Sequence, residues 1–179
     1  MRSKNVIRII IIVACLLLVP LIAMQFSDEV AWDLSDFVVA GILLLGTGLT
    51  YEMIANRGGN VAYRAAIGAA LGSTLLLIWV NLAVGLIGNE DNPANTLYLG
   101  VIAIGLLGAI LSRLKPQGLA YTLYAMAIAQ ILVPVIAFFI WQPGFSFGVV
   151  QTFGASGFFA ILFFGAGLLF QRARNTIAK

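Results

Sequence analysis

Four polar side chains stand inside, or at the ends of, long apolar runs: Glu52, Arg64, Asn81 and Gln130. Charges in or near hydrocarbon are costly unless paired or hydrated. Glu52 is the one acid on the basic side of the chain, about one turn from the end of its run, and Arg64 stands a few residues into the next. A short turn joins the two runs, so both side chains are expected at similar depth as an ion pair, with Tyr51 and Tyr63 beside them as interface residues. The alternative chemistry for Glu52 is proton or cation acceptance at the mouth of a path. Gln130 precedes Pro134 by four residues. Proline has no N–H to give the Gln130 carbonyl, so a kink is expected there. A carbonyl and an amide then need partners deep in lipid, which points Gln130 inward. Asn81 is the other deep amide. With Thr47, Thr50, Ser73 and Thr74 these groups could line a polar site; the commoner use of such residues is interhelical hydrogen bonding of ~1 kcal/mol each.

What is missing narrows the chemistry further. The chain has no histidine and one cysteine, Cys15. That excludes internal disulfides, His-ligated haem, His-bearing zinc or copper sites and His-based acid–base catalysis. No enzymatic activity, metal site or cofactor is expected. The external acids Asp28, Glu29, Asp33, Asp36, Glu90 and Asp91 could attract cations, but they read first as solvated loop charge. Asn92-Pro93-Ala94 spells the triplet of aquaporin-type channels, which need two copies; here there is one. Asn92 as a helix cap with Pro93 at the first helical position accounts for it.

The elements that must position these residues follow from composition and charge. Of 179 residues 61% are hydrophobic and 9% charged, against about 25% charged in a typical soluble domain. So little charge cannot cover a water-exposed surface, and the membrane class follows. Six apolar stretches are expected to span, at about 6–24, 36–55, 62–88, 96–111, 119–141 and 147–170. All ten basic residues (Arg2, Lys4, Arg8, Arg57, Arg64, Arg113, Lys115, Arg172, Arg174, Lys179) fall at the N-terminus, in the second and fourth connections or in the C-terminal tail. Cytoplasmic loops collect Lys and Arg, so both termini are expected in the cytoplasm. The basic charge of +3 is thus topological, facing anionic lipid and not nucleic acid. Ser35 or Asp36 is expected to cap the second span. The third, longer than a ~30 Å hydrocarbon core, should protrude or tilt. Turns are expected at Asn56-Arg57-Gly58-Gly59-Asn60 and at Gln142-Pro143-Gly144. Ile12-Val13-Ala14-Cys15 resembles a lipoprotein cleavage box, but the apolar run continues through Met24, so a retained first helix is expected.

Gly68-Ala69-Ala70-Leu71-Gly72 is a small-xxx-small motif, so Gly68 and Gly72 are expected to pack closely on a neighbouring span or a second copy. Gly-rich tetrads starting at Gly46, Gly105 and Gly165 hint at a threefold hairpin repeat. The chain resembles a family of small bacterial inner-membrane proteins through Asp36-Phe37, Tyr51-Glu52, Tyr63-Arg64, the run Trp79-Val80-Asn81-Leu82-Ala83-Val84-Gly85, and Gly88 through Asn95. That resemblance covers about residues 32–116 and brings no activity with it; it implies the bacterial inner membrane. The expectation is therefore an all-α, six-helix transmembrane bundle forming a single integral membrane domain. Its partners would be the lipid bilayer and either further copies of itself or another membrane protein. An accessory or assembly role comes first, and a small oligomeric transporter or channel for protons, cations or a small solute is the alternative.

Overall fold

A computed structural model describes residues 3–27, 30–55, 60–142 and 144–177. The protein is all-α, with six helices each long and apolar enough to cross a membrane. They form two compact units, Met1–Arg57 and Gly58–Lys179. Arg2, Asp28, Glu29, the 56–59 part of the expected turn, Pro143 and Lys179 lie outside the described residues.

The first unit is a helical hairpin of α1 (Ser3–Ala23) and α2 (Leu34–Ala55). Asn5 donates to Glu52, Ile9 lies against Gly48, and Leu17 lies against Gly41. As one number rises the other falls, which defines an antiparallel pair. Gly48 lets the backbones close: a Cβ there would sit 2.8 Å from the Ile9 methyl. The remaining faces expose Ile7, Ile11, Leu18 and Val19. Such a surface is stable against hydrocarbon, not water.

The cap of α2 differs from the expected one. Asp33, not Ser35 or Asp36, sits outside the first turn, and α2 starts at Leu34. The Asp36 N–H donates to Asp33 Oδ1 (3.0 Å), and the Asp33 N–H donates back to Asp36 Oδ2 (2.9 Å). The exchange satisfies two free N–H groups reciprocally, as a capping box does. Ser35 Oγ adds a 2.6 Å bond to Asp33 Oδ1. The Ser35 hydroxyl, with the Asp36 N–H, holds the Asp33 carboxyl below its ordinary range.

The second unit contains α3 (Val61–Ala83), a 3₁₀ turn at Pro93–Leu97, α4 (Tyr98–Leu111), α5 (Pro116–Trp141) and α6 (Phe147–Ile177). In space α6 packs between α3 and α5, and α4 packs on α5. The reason is visible in α5 and α6. Leu119, Leu123, Met126, Gln130, Val133 and Ala137 are buried at alternating three- and four-residue spacing, and so are Ser156, Phe159, Phe163, Ala166 and Phe170. That period makes one continuous stripe on each helix. Glycines then set how closely the neighbours approach. A Cβ at Gly105 would meet Met126 Sδ at 2.9 Å, one at Gly108 would collide with Thr122, and one at Gly167 would meet the Tyr124 ring at 2.5 Å.

At the end of the unit that carries Arg64, Arg113 and Lys115, the start of α3 ties the other helices together. Asn60 caps α3 by accepting from the Tyr63 N–H (2.7 Å) and donates its own amide to the Ala173 carbonyl (2.9 Å). Tyr63, edge-on to Phe170, donates its hydroxyl to the Leu114 carbonyl at 3.0 Å. Leu114 and Arg113 form a tight turn with both φ angles positive, at 60° and 50°.

The third span is the main departure from the sequence reading. It ends at Ala83, not Gly88, and its 23 residues rise about 35 Å, nearer the ~30 Å hydrocarbon thickness than the longer run read from the sequence. Val84 to Gly88 leave the helix because Gly85 (φ +68°) and Gly88 (φ +72°) turn the chain into the left-handed region, which costs glycine little.

Candidate functional site

The segment from Val84 to Asn95 is built around one side chain. Asn95 is buried, and its Oδ1 accepts from the Leu86 N–H at 3.0 Å and the Ile87 N–H at 2.8 Å. Its Nδ2 donates to the carbonyls of Asn89 (2.6 Å) and Ile87 (3.3 Å). One amide thus supplies the partners that a helix would otherwise give. Asn92 caps the 3₁₀ turn, accepting from the Ala94 N–H at 2.9 Å with Pro93 in the first position, as expected from the sequence. Gly85 is required sterically as well: a Cβ there would collide with the Asn89 carbonyl and lie 2.6 Å from Asn95 Nδ2. Thr152 of α6 fastens the segment from the other side, donating to the Leu86 carbonyl at 2.9 Å.

Behind this segment lies a cavity of about 610 Å³. Its walls come from the end of α3, the 84–94 connection, the last two turns of α5 and the first two of α6. Phe138, Trp141 and Phe153 supply aromatic surface, and Asn92, Ser146, Gln151 and Thr152 are its polar side chains. Among the described residues no charged one lines it. Glu90 and Asp91 are exposed on the same connection, between the lining residues Gly88 and Asn92.

Of the residues singled out by sequence, the three in the second unit (Arg64, Asn81 and Gln130) do not line this cavity. Glu52 is buried in α2 and accepts from Asn5 Nδ2. Arg64 is exposed in the first turn of α3, in the other unit. Asn81 lies seventeen residues beyond Arg64 on the same helix, a rise of about 26 Å. Its Nδ2 donates to the Asn95 carbonyl at 3.1 Å, while its buried Oδ1 has no hydrogen bond among the described residues. Gln130 is fully buried on α5, and neither amide atom is hydrogen-bonded among the described residues. Neither Asn81 nor Gln130 lines the cavity.

The hydroxyls behave differently from expectation. Ser73 and Thr74 bond back to the carbonyls of Ala69 (2.7 Å) and Ala70 (2.9 Å) within α3 rather than across helices. An interhelical pair that the sequence reading missed is Tyr98 and Ser156, both fully buried, with 2.8 Å between their oxygens. Thr152 and Ser156 stand four apart on α6, a spacing that signals one polar face. Gly68 and Gly72 border an open groove of about 480 Å³ against Gly165 and Ala166 of α6. A Cβ at Gly72 would meet nothing within 4 Å, so no neighbouring span closes on that residue among the described residues, and the second copy stays as the other expectation. Tight interhelical glycine contacts are made at Gly48, Gly105, Gly108 and Gly167. Cys15 is an exposed thiol on an unbroken α1. Among the described residues no three His, Cys, Asp or Glu side chains gather as a metal site.

The chain thus defines a polytopic, all-α membrane protein. Comparison with protein-family models, curated proteins and solved structures returned no match.

Proposed function

We propose that this chain is a non-enzymatic, multi-pass protein of the bacterial inner membrane, with both termini in the cytoplasm and an accessory or assembly role beside another membrane protein or further copies of itself. The observation that carries this reading is the dispersal of the intramembrane polar groups. A transport path needs such groups to share one hydrated cavity. Within the second unit Asn81 is spent on the connection that follows its helix and Gln130 is enclosed in the α5 stripe, and neither lines the cavity of that unit. The resemblance noted in the sequence and the confinement of Lys and Arg to alternate connections support the membrane and orientation assigned.

The test is a flux assay on purified protein in sealed liposomes loaded with pH- and cation-sensitive dyes. The expected result is no protein-dependent flux from folded, inserted protein. Proton or cation movement that disappears in Glu52→Gln would replace this reading with the transporter alternative. A reporter fused at Lys179 should behave as cytoplasmic; a periplasmic signal would overturn the assigned orientation.

A further inference from the structure

We infer that the 610 Å³ cavity is a binding site for one uncharged amphipathic lipid, with its hydrocarbon chain among the aromatic and aliphatic walls and a hydroxyl-bearing head at the Asn92–Gln151 mouth. The volume falls within the ~300–1,000 Å³ of small-molecule sites, and the mixture of apolar walls with a few polar groups is the usual composition of such sites.

Three observations select the occupant. First, the cavity lies at the end of membrane-spanning helices, and Trp141, in the last turn of α5, lines it. An indole at that level suits the junction between tail and head of a lipid. Second, the cavity has no charged lining residue among those described, and the exposed acids Glu90 and Asp91 sit on the same connection. An anionic head would find no counter-charge in the lining and two acids on the adjoining connection, and a cationic head would find no carboxylate among the lining residues. A neutral head meets neither penalty. Third, the polar groups at the mouth retain hydrogen-bonding capacity. Asn92 uses Oδ1 on the Ala94 N–H, which leaves the two N–H bonds of Nδ2 to donate, and Gln151 is an exposed amide of the same lining. These are partners for hydroxyls.

The walls are also held in shape. Asn95 fixes the 86–89 backbone, Thr152 pins Leu86, and Gly85 and Gly88 hold turns that other residues would strain. A site of this rigidity loses little conformational entropy when filled. The inference does not depend on the accessory role, since a transporter could carry the same lipid site.

Native mass spectrometry of the purified full chain tests it, using monooleoylglycerol, oleoyl phosphatidylglycerol and oleylamine as neutral, anionic and cationic probes. The expected result is one retained monooleoylglycerol per chain, with at least about tenfold weaker retention of both charged probes, a difference of about 1.4 kcal/mol. Ala155→Trp, which places an indole in the cavity, should abolish the adduct. Equal retention of all three probes, preference for a charged one, or an undiminished adduct in folded Ala155→Trp would overturn the assignment. If that variant does not fold, quenching of Trp141 by a brominated monoacylglycerol in the Trp32→Phe, Trp79→Phe background decides the matter. Saturable quenching supports the site, and quenching that rises linearly with lipid overturns it.

Discussion

Replacing Asn95 by Ala removes four hydrogen bonds at once, and the structure sets the size of the effect. The Leu86 N–H is buried and would lose its acceptor, at a cost of about 1–3 kcal/mol for an orphaned buried donor. The Ile87 N–H and the Asn89 carbonyl are part-buried, and each loses a bond of about 0.5–1.5 kcal/mol. Water entering the truncated site recovers some of this, which leaves about 2–4 kcal/mol. The assay is amide hydrogen exchange on the detergent-solubilised protein, followed at Leu86 and Ile87 and at amides in the middle of α5. Opening confined to the 84–95 connection should speed exchange of the first two by about 30- to 1,000-fold, at tenfold per 1.4 kcal/mol, while α5 stays protected. Gly85→Ala should loosen the same connection, because Gly85 has φ +68° and a Cβ there would collide with the Asn89 carbonyl. In the double variant the two effects should fall well short of additive, since each disrupts the same backbone. Exchange at Leu86 within about twofold of wild type in Asn95→Ala would refute the claim that this side chain organises the connection.

The other predictions concern packing, a buried pair and a cap. Gly108→Ala should destabilise the second unit by about 1–3 kcal/mol through overpacking on Thr122, whereas Gly72→Ala, with open space at its Cβ, should be neutral or gain about 0.5–1 kcal/mol of helix propensity; denaturant titration of both variants separates the two. Tyr98→Phe and Ser156→Ala each strand one buried hydroxyl of a 2.8 Å pair and should cost about 1–3 kcal/mol; the double variant should lose less than the sum, as read by the same titration. The Asp33 carboxyl is lowered from 3.8 by the Ser35 hydroxyl and the Asp36 N–H. A depressed folded-state pKa gives stability that is present above the unfolded value and lost as pH falls through the folded one. Acidification below about pH 4 should therefore weaken α2 of the wild type more than that of Asp33→Asn, measured by exchange of the first-turn amides.

The number and placing of the helices were legible because a bilayer imposes a length and a composition that few other solvents demand. The end of α3 was not. Val84, Leu86 and Ile87 are as apolar as the helix before them, and the residue that withdraws their backbone from the helix, Asn95, lies eight or nine positions further on. The two glycines at positions 85 and 88 were the available signal. The α2 cap could have been found from Asp33 and Asp36 at capping-box spacing. The partner of Ser156 could not, because α6 packs between α3 and α5 rather than beside its sequence neighbour alone, and nothing local in the chain specifies that insertion. Glu52, Asn81 and Gln130 were legible as buried or half-buried polar groups; that Asn81 and Gln130 stay out of the cavity of their unit depends on helix order and rotation, which periodicity leaves open.

The joint at the basic end of the second unit has a consequence for how the protein is made. Asn60 and Tyr63 reach membrane depth when α3 emerges, yet their partners Ala173 and Leu114 are 113 and 51 residues further along the chain. During synthesis those polar groups must be held by water, lipid headgroups or the insertion machinery until α6 arrives. The second unit therefore closes late and from its C-terminal helix. A ribosome stalled before α6 would leave α3 without its neighbour and α5 with one face bare. The α1–α2 hairpin, by contrast, pairs through residues made early, Asn5 with Glu52 and Ile9 with Gly48, and can form as soon as it is inserted.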